Sequence, residues 1–124
     1  MWKILYQLGS PKLFYNLLFI LLLATGAVWG LLYAPADYLQ GDGFRIIYVH
    51  VPCAFLSMAL YSYMSFLALL LLIWRIKIAG IMITAAAQTG AVMTFLALVT
   101  GSIWGKPMWG AWWVWDARLT SELI

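Results

Sequence analysis

Residues 51–74 read VPCAFLSMALYSYMSFLALLLLIW, from Val51 to Trp74, without one Asp, Glu, Lys, Arg or His. A helix needs about 20 apolar residues to cross a bilayer, and this run exceeds that length. Two further stretches are equally free of ionisable side chains, Leu13 to Ala36 and Ile78 to Gly105. The composition agrees: 66% of the 124 residues are hydrophobic and 9% are charged, against about 25% charged in an ordinary soluble domain. Such a chain cannot build a water-facing surface. The fold expected is an all-α integral membrane bundle, one membrane domain over 1–124. Its three transmembrane helices are expected near 13–33, 46–73 and 79–104.

Punctuation along the chain fits this division. Residues 1–12 form a short amphipathic lead-in, with Gly9-Ser10-Pro11 as a helix-start signal. The first apolar run is longer than the roughly 7–15 residues of a signal-peptide core and lacks a small-x-small cleavage site, so a retained span is expected. Its Gly26 and Gly30 are spaced i,i+4, as at close helix contacts in lipid. Pro35, Gly41 and Gly43 mark a loop. Pro52 is expected to loosen the first turns of the second helix, near His50. The third span is rich in small residues (Ala85, Ala86, Ala87, Gly90, Ala91, Ala97) suited to helix packing.

Lys3, Lys12, Arg75 and Lys77 fall on one side of this topology, and Arg45, Lys106 and Arg118 on the other. The four-to-three bias puts the N-terminus in the cytoplasm and residues 104–118 on the opposite, outer face. The net charge of +3 comes from scattered residues and no basic stripe, so no nucleic-acid partner is indicated. One cysteine, Cys53, gives no internal disulfide and no Cys-pair metal site. One turn from His50, it is either a thiolate haem ligand or, as suits one Cys beside Pro52 in an apolar span, a small buried residue. No Cys-x-x-Cys-His run offers covalent haem attachment. No triad, phosphate loop or paired carboxylates appear, so no enzyme is indicated.

Five of the eight tryptophans crowd into Trp104–Trp115. Two readings stand side by side. An aromatic belt at the membrane interface enriches Trp. Alternatively, indole faces supply a rigid apolar platform for a flat ring such as a porphyrin. Gly105, Pro107 and Gly110 are expected to end the third span and open a Trp-rich segment over 104–118. A short interfacial helix across Trp109–Asp116 would put Trp109, Trp113 and Asp116 on one face.

His50, the single histidine, is either a haem axial ligand or an interfacial histidine bonded to backbone or Tyr48. Arg45 and Arg118 are either carboxylate partners, as haem propionates require, or snorkelling side chains; Lys106 is a weaker candidate. Asp116 suits a structural role, pairing with Arg118 or Lys106 or capping backbone amides. Residues 120–124 look like the cap and first turn of a fourth helix.

Trp109-Gly110-Ala111-Trp112-Trp113-Val114-Trp115-Asp116 matches the pattern W-G-x-x-W-x-W-D. This resembles the tryptophan-rich signature of the haem-handling family of cytochrome c maturation. The continuation Ala117-Arg118-Leu119-Thr120-Ser121-Glu122 and the run Ile47-Tyr48-Val49-His50-Val51-Pro52 are similar to its protein C (haem exporter) branch rather than its haem-lyase branches. The resemblance covers nearly the whole chain.

It implies haem held non-covalently at the periplasmic face, with His50 as one iron ligand. Trp109, Trp112, Trp113, Trp115 and Asp116 would form the platform, and Arg45 and Arg118 would sit at the propionates. It also implies handover to a periplasmic haem chaperone. The implied complex contains an ABC-type ATPase, its membrane subunit and a small single-span subunit. The family pattern includes more spans and a second histidine in its later half, so this chain is expected to be an N-terminal half. A haem lyase and a structural subunit with purely interfacial tryptophans are the competing readings.

Overall fold

The computed structural model describes residues 11–124; the lead-in before Pro11, with Trp2 and Lys3, lies outside them. The described residues form two units, 11–35 and 36–124.

The first unit is one helix, α1 (Pro11–Val28), running on into a π-helical turn at Trp29–Tyr33. Proline suits the first helical position, where its missing N–H would have no intrahelical acceptor. No residue of α1 is buried, as expected of side chains that meet lipid.

The second unit is a helical hairpin. A 3₁₀ turn at Asp42–Ile46 leads into α2 (Ile47–Trp74), which is followed by α3 (Lys77–Trp109) and the short α4 (Ala117–Leu123). All three long helical segments, Pro11–Tyr33, Asp42–Trp74 and Lys77–Trp109, are long and apolar enough to cross a membrane. The chain is therefore an all-α, multi-pass membrane protein.

Lipid is as apolar as leucine, so close packing rather than water exclusion joins α2 to α3. The buried residues of α3 are Ala79, Gly90, Ala97 and Gly105, spaced so that they form one stripe of small side chains. Cys53, Ser57 and Leu67 of α2 are buried opposite. Gly90 shows the closeness: a Cβ there would lie 3.7 Å from Met64 Cε and 3.8 Å from Leu60 Cβ. Ala85, Ala87 and Ala91 lie off this stripe and are exposed.

The hairpin reverses in two residues. Arg75 closes α2 in the left-handed region, at φ 53°, where glycine is the usual occupant. At the opposite end Gly110 does this at φ 74°, its N–H bonding Lys106 O at 3.0 Å.

Three boundaries differ from expectation. Helix α3 does not stop at residue 104 but runs to Trp109. Gly105 is packed inside it, and Pro107 is so near its end that little of the helical ladder is lost. Residues 110–116 form no interfacial helix, because the left-handed Gly110 turns the chain away; Trp109, Trp113 and Asp116 share no helical face. The last helix starts at Ala117, not at residue 120. Asp116 caps it, Oδ1 accepting from Leu119 N at 2.9 Å.

A tryptophan-walled cleft at one end of the hairpin

His50 lies one turn inside the start of α2 and faces α3. Its Nδ1 is 3.1 Å from Ala97 O and 3.1 Å from Thr100 Oγ1. A carbonyl can only accept. The Thr100 hydroxyl places its one proton on Leu96 O at 2.6 Å, so it too meets His50 as an acceptor. Nδ1 must therefore carry the imidazole proton. Nε2 has no hydrogen-bond partner among the described residues. The histidine is bonded to backbone and Thr100, and not to Tyr48.

Two glycines make room for rings. A Cβ on Gly101 would come within 3.1 Å of His50 Cε1. A Cβ on Gly105 would come within 3.1 Å of Trp109 Cε3 and 3.3 Å of Cζ3. One helical turn apart, they leave bare helix surface on α3 against which His50 and Trp109 each pack.

Trp104 stands between them, edge-on to His50 with centroids 5.7 Å apart and tilted against Trp109 at 6.5 Å. Its Nε1 donates to Gln40 Oε1 at 3.0 Å. The 36–41 loop is itself fixed by Asp37, whose Oδ1 accepts from Leu39 N and Gln40 N, each at 2.9 Å. That loop therefore braces the indole.

These rings and the 110–119 segment enclose a cleft of about 340 Å³. This is at the small end of ligand sites, which span roughly 300–1,000 Å³, so the cleft fits one face or edge of a large ring. Of the residues singled out from sequence, His50, Trp109, Trp112, Trp113, Asp116 and Arg118 line it. Trp113 Nε1 is buried there with no hydrogen-bond partner among the described residues. An orphaned donor of this kind is uncommon in a native fold and suits an incoming acceptor.

Trp115 and Arg45 are not among the lining residues. Trp115 is 77% exposed and touches Trp113 edge-on at 5.6 Å. Arg45 pairs with Asp42 at 3.2 Å. Lys106 Nζ donates to Gly110 O at 3.0 Å and lies 5.9 Å from the Trp112 ring, so it holds the turn after α3.

Arg118 is bound to Asp116 at 2.7 Å and lies 6.0 Å from the Trp109 ring centre. The bond from Leu119 N–H, and then Arg118, hold the Asp116 carboxyl below its ordinary value. Asp116 thus ties α4 to the cleft.

Ala97, Thr100, Gly101, Gly105 and Gln40 were not singled out for the site from sequence. The only advance signal was the i,i+4 spacing of Gly101 and Gly105, which gains meaning once the register of α2 on α3 is known.

Fold and cleft define a multi-pass, all-α membrane protein with an aromatic cradle at one end of a transmembrane hairpin. Residues 4–124 match the family described as heme exporter protein C. Heme exporter protein C of Escherichia coli K12 is 51% identical across 100% of this chain and 55% of its own length. The Haemophilus influenzae protein of the same name is 52% identical across 100% of the chain and 54% of its own length. A putative cytochrome c biosynthesis ccmC-like mitochondrial protein of Marchantia polymorpha is 50% identical over 73% of the chain and 40% of its own length. The chain belongs to the heme exporter protein C family, and spans about half the length of the curated relatives it matches.

Proposed function

We propose that this chain binds haem as cargo at its tryptophan cleft and presents it for cytochrome c maturation. The observation that carries the reading is that Ala97 O and Thr100 Oγ1 hold His50 at Nδ1, which leaves Nε2 as the ring nitrogen open to a metal at the cleft. A ligating histidine usually has its other nitrogen fixed by an acceptor in this way.

The remaining residues fit the same cargo. Trp109, Trp112 and Trp113 offer indole faces to a porphyrin, with Trp115 buttressing Trp113. Arg118 and the Trp113 N–H are donors suited to a propionate, while Arg45 is held by Asp42 and does not line the cleft. Haem supplies an iron with open axial positions. The chain supplies one nitrogen ligand, a dry wall and charge compensation. An open cleft of modest volume suits a relay, since a site of extreme affinity would not release its load.

In this reading the cleft faces the periplasm from a bacterial inner membrane, with the N-terminus cytoplasmic. Haem passes to a periplasmic chaperone. Energy comes from an ABC-type ATPase working with its membrane subunit and a small single-span subunit. The chain makes and breaks no covalent bond.

The test is haem titration of the purified chain in detergent. Wild type is expected to give a Soret band that is lost in His50→Ala and weakened when Trp109, Trp112 and Trp113 become leucine. Unchanged haem binding in His50→Ala, with the protein folded, overturns the assignment.

A further inference from the structure

Resting on the haem reading above, we infer that Thr100 and Gly101 are positioning residues for His50. They set its tautomer and its ring orientation without touching the cargo. Three observations on α3 converge on one imidazole. Ala97 O and Thr100 Oγ1 both accept at Nδ1, each at 3.1 Å. The Thr100 proton is occupied at Leu96 O. Gly101 leaves open the space where a Cβ would stand 3.1 Å from His50 Cε1.

Each does separate work. The two acceptors fix the proton on Nδ1 and strengthen Nε2 as a donor. They also choose one of the two ring orientations about Cβ–Cγ, because a flipped ring would turn a carbon towards both oxygens. Gly101 lets the Cε1 side of the ring come up to the helix, where a Cβ would stand 3.1 Å from Cε1 and 3.5 Å from Nδ1. Trp104, edge-on at 5.7 Å, closes the remaining side. A histidine that merely filled the helix interface would need neither two acceptors on one nitrogen nor a bare helix surface beneath it.

His50 is the only histidine, so ¹⁵N-histidine labelling reports on it alone. The wild-type chain in micelles, without haem, is expected to show the Nδ1–H tautomer. Thr100→Ser keeps the hydroxyl and should keep both that spectrum and haem affinity. Thr100→Val keeps the shape and loses one of the two acceptors; with Ala97 O alone remaining, the share of the Nδ1–H tautomer should fall. Gly101→Ala should shift the ring signals. Each of these two should weaken haem binding by about 10-fold or more, the usual cost of losing such a partner.

Wild-type spectra and affinity in both Thr100→Val and Gly101→Ala overturn the inference. His50→Ala separates the two levels of the argument. If it loses haem while those two variants do not, ligation stands and the positioning roles fail. If it retains haem, ligation fails, and the tautomer spectra still decide whether the seat exists.

Discussion

Replacing Gly105 by alanine pits two effects of similar size against each other. The new methyl would stand 3.1 Å from Trp109 Cε3, 3.3 Å from Cζ3 and 3.4 Å from Ala111 O. Carbon atoms rest at about 3.5–4.0 Å, so the Trp109 ring must retreat by several tenths of an ångström. Trp104 stands on one side and Arg118 near the ring, but Trp109 is 59% exposed, so moving outward can relieve part of the strain. Overpacking of this kind costs about 1–3 kcal/mol. Against it, Gly→Ala in a helix gains about 1 kcal/mol.

The net loss in overall stability is therefore about 0–2 kcal/mol, and the distortion concentrates on a wall of the cleft. Thermal unfolding in detergent should shift little, while haem affinity and tryptophan emission change clearly. Gly90→Ala is the matched control. Its methyl would meet Met64 and Leu60 at ordinary contact distances, so only the helical gain should appear. The reasoning is refuted if Gly105→Ala raises the unfolding temperature as Gly90→Ala does and leaves haem affinity and emission unchanged.

Three further outcomes are expected. Arg75 holds φ 53°, a conformation that costs an L-residue about 1–2 kcal/mol; Arg75→Gly should raise the unfolding temperature in micelles and Arg75→Val should lower it. The Asp116 carboxyl is held low by Leu119 N–H and Arg118, so its stabilising effect is complete above the ordinary Asp value of about 3.9. That effect is lost as pH falls through the lowered folded value; hydrogen exchange in α4 should accelerate in that window for wild type, and Asp116→Asn should remove the pH dependence. Ser57 Oγ donates to Glu122 Oε1 at 2.6 Å and meets Thr94 Oγ1 at 2.6 Å; Ser57→Ala should cost about 1–3 kcal/mol by leaving partners unsatisfied, read as a lower unfolding temperature that Ser57→Thr largely restores.

The membrane class was legible because bilayer thickness acts on a simple quantity, the length of a charge-free run. Helix ends were harder. Gly105 and Pro107 read as breakers because an isolated segment would end there, whereas packing retains Gly105 within α3 and the left-handed Gly110 makes the stop. At residue 120, Thr120-Ser121 resembled a cap, but Asp116 satisfies Leu119 N–H and starts α4 earlier.

The cleft was legible through residue types that carry chemistry on their own: indoles, one imidazole and guanidinium groups. Its supports were not. Ala97, Thr100 and Gly101 contribute a carbonyl, a hydroxyl and an absence of side chain. Such features become specific only when α2 is laid on α3 in register. Arg45 and Trp115 show the converse: their chemistry drew attention, yet the cleft is lined without them.

The proposed haem site requires a bond between His50 and the iron. Because the chain has one histidine, pulsed electron paramagnetic resonance on haem-loaded protein carrying ¹⁵N-histidine reads that bond directly. A hyperfine coupling of the size expected for a directly coordinated imidazole nitrogen is predicted, vanishing in His50→Ala. A haem-loaded protein without any ¹⁵N coupling would contradict the account.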